Sequence, residues 1–229
     1  MARKNKKSRR KPKQPAGANR RRREADRLLA QVEARRQRGD FDGMLAACEA
    51  AVAEDPRHAG AHHLLARLCF AAGDPDRARS HSARAVELAP DAVDVLVTRA
   101  EILAEAHEVM AALALLERAR AVAPRSTRVL NVTANLYRRC NRPVEAFKLL
   151  KQSREIDPEK AETLALVGDA FFELGKVKQA VASFQLALRQ APHDATIHDK
   201  LGRALQSTRD REGAAACFQR AIACQPGLV

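Results

Sequence analysis

The sequence contains no tryptophan, one tyrosine and only 3% aromatic residues, although 46% of its 229 residues are hydrophobic. The apolar content is therefore mostly Ala, Leu and Val. Ala and Leu favour helix, while the aromatics that favour sheet are scarce, so a β-sandwich or barrel is excluded. Long hydrophobic runs are also missing. Apolar stretches such as Met110–Leu116 are far below the roughly 20 residues that cross a bilayer, so no transmembrane segment is expected. Cysteine is sparse and odd in number: Cys48, Cys69, Cys140, Cys217 and Cys224. That excludes a disulfide scaffold and fits a reducing, cytoplasmic compartment.

Acidic residues are absent from residues 1–23, which hold twelve of the 41 Lys and Arg. Beyond them 29 cations face 28 acids, so the net charge of +13 belongs almost wholly to an N-terminal arm. The arm contains Pro12, Pro15 and Gly17 and no large apolar residue after Met1. It cannot bury enough surface to offset its ordering entropy, and residues 1–23 are expected to be disordered. No apolar core follows the basic stretch, which excludes a secretory leader, and no amphipathic stripe marks a mitochondrial one. Arg9, Arg10, Lys11, Arg20, Arg21, Arg22 and Arg23 are the candidate polyanion contacts. They act by salt-dependent counterion release, toward RNA, DNA, an anionic surface or an acidic partner. No aromatic is interleaved for base stacking, so sequence-specific recognition is not expected.

The remaining chain is periodic. Pro56, Pro90, Pro124, Pro158, Pro192 and Pro226 are each 34 residues apart. With each proline at position 32, the array over 24–229 divides into repeats 25–58, 59–92, 93–126, 127–160, 161–194 and 195–228. Position 8 then reads Val32, Ala66, Ala100, Ala134, Gly168 and Gly202. Position 20 reads Met44, Ala78, Ala112, Ala146, Ala180 and Ala214, and position 27 is Ala throughout except Ser153. Small residues in these columns let two antiparallel helices approach, and larger ones at 4, 7, 11 and 24 fill between them. Gly39, Gly73, Asn141 and Gly175 mark a turn near position 15, and the proline stops the second helix.

This pattern resembles the tetratricopeptide repeat family. The fifth repeat carries it most clearly, with Leu164, Val167-Gly168, Phe171, Gly175, Ala180, Phe184, Ala187 and Pro192. The resemblance implies an all-α fold, a right-handed α-solenoid of six 34-residue helix–turn–helix repeats. It also implies a non-catalytic scaffold that binds a protein or peptide segment in a concave groove lined by the first helix of each repeat. The first repeat departs from the pattern, with Arg35 at position 11 and Met44 at position 20. Groove-facing positions are expected near 2, 5, 6, 9, 12 and 13. They make Arg128, Asn131, Asn135, Arg138, Asp169, Phe172, Lys200 and Arg203 the candidate binding residues, against the alternative of an ordinary solvated face.

The clamp with which chaperone-tail-binding members hold a terminal carboxylate is matched only at Asn135. The asparagine ladder of glycosyltransferase-linked arrays is absent at position 6. No catalytic residues, P-loop or dinucleotide turn emerge, and no cofactor is expected. His58, His62, His63 and His81 cluster with Cys48 and Cys69 nearby, but the spacing matches no zinc pattern and the cysteines occupy core columns. Cys217 and Cys224 are likewise read as packing residues. Two other readings stand beside the scaffold: the N-terminal module of a transferase whose catalytic domain lies beyond Val229, and a nucleic-acid-associated adaptor. Leu201, Leu205, Phe218 and Ile222 are expected to leave an uncapped apolar end, suited to self-association.

Overall fold

A computed structural model of the chain describes residues 16–225. The described residues are all helical apart from turns, in twelve helices that divide into two compact units, residues 1–90 and 91–229. The expected polyanion contacts Arg9, Arg10 and Lys11 lie outside the described residues.

The first unit contains α1 (Ala16–Gln37), α2 (Phe41–Glu54), α3 (Ala59–Ala71) and α4 (Pro75–Leu88). One expectation is corrected here. Disorder is expected through Arg23, but α1 begins at Ala16, so the Arg20–Arg23 run is helical. Ala and Arg are strong helix formers, and the segment extends a helix already anchored by packing. That anchor is Ala25, fully buried against Ala51 and Ala61, with Leu28, Leu29 and Val52 around them.

The second unit contains α5 (Val93–Glu105), α6 (Val109–Val122), α7 (Thr127–Arg139), α8 (Pro143–Ile156), α9 (Ala161–Glu173), α10 (Val177–Gln190), α11 (Ala195–Ser207) and α12 (Arg211–Cys224). Each helix packs on the next in the chain, and α5, α7, α9 and α11 also touch one after another. The first helices of successive repeats thus form one layer.

The columns explain the hairpins. Ala78, Ala112, Ala146 and Ala180 at position 20 are fully buried, as are Ala51, Ala119, Ser153 and Ala187 at position 27. Met44, too large for its column, is only half-buried. Positions 8 and 24 exchange volume. Where position 24 is Leu116 or Leu150, position 8 is Ala100 or Ala134. Where it is Phe184 or Phe218, position 8 is Gly168 or Gly202. A Cβ at Gly168 would stand 2.5 Å from Phe184 Cε1, and one at Gly202 would stand 2.6 Å from Phe218 Cε1. The aromatic ring therefore occupies the space that a methyl group takes elsewhere.

The turn is the same in all six repeats. Position 15 is left-handed at Gly39, Gly73 and Gly175, and equally at His107 (φ 61°), Asn141 (φ 55°) and Arg209 (φ 66°). Its N–H donates to the carbonyl of position 12, and the N–H of position 16 donates to that of position 11. The pairs run from Gly39–Arg36 and Asp40–Arg35 to Arg209–Gln206 and Asp210–Leu205. This is the Schellman geometry, which satisfies the last carbonyls of the first helix. Asp40, Asp74 and Asp210 then cap the second helix by accepting from the N–H three residues on. Each second helix stops two residues before the repeat's proline, at Glu54, Leu88, Val122, Ile156, Gln190 and Cys224. The intervening residue leaves the helical region, with φ −131° and ψ 90° at Asp55 and φ −139° and ψ 71° at Ala89, because the following proline disfavours the α conformation there.

At the far end Leu201 is buried, against expectation, because it packs into the core formed by Leu164, Phe184 and Ile197. Leu205 and Phe218 are half-buried, and Ile222 is 48% exposed. Cys217 is buried but Cys224, expected to pack beside it, is exposed in the last turn.

Candidate functional site

The layer of first helices in the second unit sets out the candidate groove residues. Five of the eight selected positions meet in one open cleft of about 240 Å³: Arg138 on α7, Asp169 and Phe172 on α9, and Lys200 and Arg203 on α11. Glu173 and the edge of Phe184 complete the lining. Phe184 is missing from the candidate residues because its column reads as pure core. Gly168, which lets the ring lie against α9, is the signal that places it there.

The cleft has alternating charge. Lys200 Nζ donates to Asp169 Oδ2 at 2.7 Å, and Arg138 Nη2 lies 3.9 Å from the same oxygen. Arg138 Nη1 pairs with Glu173, and Arg138 Nη2 donates to Asn135 Oδ1 at 2.9 Å. Asp169 is nearly buried and lies between the two cations. Arg203 is held by Asp199 one turn before it at 2.9 Å, but most of its side chain is in solvent. Phe172 is 37% exposed beside these cations. An apolar platform with an exposed guanidinium and an ammonium close by can receive an apolar side chain and a carboxylate together.

The other candidates lie elsewhere. Asn131 is fully buried and is not a groove residue. Its Nδ2 donates to Thr163 Oγ1 at 2.9 Å, and Ser153 Oγ lies 3.2 Å from the same hydroxyl. Val97 and Ala165 in the same column are also buried, so position 5 faces the neighbouring helix rather than the groove. Arg128 belongs to another contact: it bonds Asp94 Oδ1 at 2.8 Å and approaches Glu101, tying α7 to α5. Asn135 supports the cleft through Arg138. In the arm, Arg20, Arg21, Arg22 and Arg23 lie exposed on α1.

The histidines of the first unit form a chain of their own. The Pro56 carbonyl, 3.2 Å from His62 Nε2, can only accept, so that nitrogen carries the proton. His62 Nδ1 is then the acceptor for His81 Nδ1, 3.0 Å away. His58 accepts from the Ala61 N–H and places its other nitrogen 2.9 Å from Asp26. Burial pushes the pKa of both His62 and His81 down from the ordinary imidazole value. Burial likewise pushes the Cys48 thiol up to about 11. Among the described residues, no three His, Cys, Asp or Glu side chains are placed to hold a metal.

A sequence model of the tetratricopeptide repeat matches residues 35–81, 70–136 and 141–203. The chain belongs to the tetratricopeptide repeat family. No curated protein matches it. Among solved structures, PilF of Pseudomonas aeruginosa is 19% identical with a TM-score of 0.69, over 90% of this chain and 94% of that one. TTC0263, a tetratricopeptide repeat protein of Thermus thermophilus, is 22% identical with a TM-score of 0.71, over 80% and 99%. YrrB, a tetratricopeptide repeat protein with an unusual peptide-binding site, is 19% identical with a TM-score of 0.50, over 80% and 94%. At these identities the likeness is one of fold. The repeats are in general those of protein-interaction scaffolds, and no described helix is long and apolar enough to cross a membrane.

Proposed function

We propose that the second unit binds an extended peptide segment in the cleft formed by Arg138, Asp169, Phe172, Lys200 and Arg203. The observation that supports this reading is the convergence, on one open surface, of an exposed aromatic with two cations, of which Arg203 is largely exposed to solvent. The peptide presents an apolar side chain to Phe172 and an acidic side chain or C-terminal carboxylate to Lys200 and Arg203. Burying the aromatic contributes affinity, and the charge-assisted hydrogen bonds set direction and register. The incoming carboxylate competes with Asp169 for Lys200, so the gain is modest and the complex is exchangeable. The peptide-binding site for which YrrB is described supports the same use of the fold.

Panning the full chain against a displayed random peptide library tests the reading. Enriched peptides are expected to pair Asp or Glu with an apolar residue. Phe172→Ala and the double variant Lys200→Glu/Arg203→Glu should each weaken a selected fluorescent peptide by at least about tenfold, or roughly 1.4 kcal/mol. No enrichment, or equal binding by the variants, would defeat the proposal.

A further inference from the structure

One strongly charged surface is left without partners by the repeats. Several arginines of the repeats are matched singly, Arg36 with Glu33, Arg77 with Glu49, Arg128 with Asp94 and Arg142 with Glu145. Arg20, Arg21, Arg22 and Arg23 are exposed on α1 and form no ion pair among the described residues. Residues 1–15 supply no acid that can pair with them and add eight more Lys and Arg. Arg20 and Arg23, three residues apart, are like charges on one side of the helix, and none of the four is buried in a packing contact. A local conflict without a compensating contact inside the chain marks a surface kept for something outside it.

The helical placement narrows what that is. Consecutive helical residues step by about 100°, so the four side chains cover roughly 300° of the circumference. A membrane surface meets one face of a helix and holds it by apolar side chains inserted from that face. Residues 16–23, AGANRRRR, contain nothing apolar larger than alanine. A duplex groove instead has a row of phosphates along each wall, and a helix lying in it is met by anions from both sides. The B-form major groove, about 12 Å wide, admits an α-helix of about 10–12 Å diameter, whereas the A-form major groove is too narrow.

We infer that the N-terminal half of α1 is a DNA-binding helix. It docks in the major groove of B-form duplex through phosphate contacts from Arg20–Arg23, without base specificity. This site is independent of the cleft in the second unit.

The test is fluorescence anisotropy of the full chain over a salt series. The probes are a short DNA duplex, the matching RNA duplex, single-stranded DNA, and vesicles of phosphatidylcholine and phosphatidylserine in equal parts. Duplex DNA should bind best. Replacing all four arginines by Gln should lower the log–log salt slope by about 2–4 and weaken binding at about 50 mM salt at least tenfold. Glu24→Pro starts the helix just after the arginines, since proline is accepted in a first turn, and keeps every cation. It should lose the preference for duplex over single strand, while Glu24→Gln, of equal charge, keeps it. Circular dichroism confirms that each variant retains the repeats. An unchanged slope, equal duplex and single-strand binding by the native chain, or equal selectivity of the two Glu24 variants would overturn the inference. Tighter binding to vesicles than to duplex would overturn it in favour of an anionic surface.

Discussion

Gly168→Ala isolates the exchange of volume between positions 8 and 24. The added methyl carbon would lie 2.5 Å from Phe184 Cε1, 2.7 Å from Cδ1 and 2.9 Å from Cζ. The ring is 1% exposed. Overpacking of this kind costs about 1–3 kcal/mol. Alanine in a helix interior returns about 0.5–1 kcal/mol relative to glycine, so the net loss is about 0–2.5 kcal/mol. Phe184→Leu alone leaves a void beneath Gly168 and costs about 1–2 kcal/mol. Combined, the two substitutions install the pairing already present as Ala100 with Leu116 and Ala134 with Leu150. The double variant should therefore be more stable than the sum of the single losses by about 1–3 kcal/mol. Urea denaturation of the four proteins, followed by far-ultraviolet circular dichroism, gives this coupling directly. Losses that add to within about 0.5 kcal/mol would show that the ring and the methyl group do not contend for one space.

Three further outcomes follow from particular residues. His62 and His81 have pKa values lowered by burial, so the unfolded chain binds more protons, and their contribution is full above about pH 6.5 and lost as pH falls below it. His62→Leu, which restores the column residue of Leu96 and Leu130, should shrink the fall in melting temperature between neutral and mildly acid buffer; an undiminished fall counts against the assignment. Asn131→Ala leaves the buried Thr163 hydroxyl with one partner fewer and should cost about 1–3 kcal/mol by chemical denaturation, whereas a surface residue would cost less than about 0.5 kcal/mol. Of the five thiols, exposed Cys224 should react first with a disulfide reagent, and Cys48, buried with its pKa pushed up to about 11, should react only on unfolding; early modification of Cys48 by mass spectrometry would contradict the packing.

The architecture was legible because proline spacing and small-residue columns are local statements about backbone and volume. The six units, their helix ends and their tight columns can be read from Pro56 to Pro226 and from Ala78, Ala112, Ala146 and Ala180. The start of α1 was not legible, because Pro15 and a run of cations signal an arm. The strong helix propensity of Ala and Arg prevails once Ala25 and Leu28 are anchored. Asn131 was misread for a related reason: at position 5 an amide suits a groove and a buried network equally well. Only the arrival of Thr163 and Ser153 from the next helices decides between them. Arg128 and Arg138 stand on the same helix, at positions 2 and 12 of the repeat, both expected to face the groove. They are distinguished by which acids lie one repeat away, Asp94 behind or Glu173 ahead. Side-chain partners at a separation near one full repeat are fixed by the stack, and a single column cannot reveal them.

The six left-handed corners have a practical consequence. Each is exposed, and a Cβ built at Gly39, Gly73 or Gly175 would touch nothing within 4 Å. Three corners already carry full side chains, at His107, Asn141 and Arg209, with the same backbone bonds. Those three, which already hold a side chain in the left-handed conformation, are ready-made attachment stations where a dye or spin label alters neither core nor cleft, whereas a side chain at the three glycines would be strained despite the open space. Once Cys224 is replaced, pairs such as Asn141→Cys with Arg209→Cys become a ruler for whether the second unit opens or tightens when its ligand arrives.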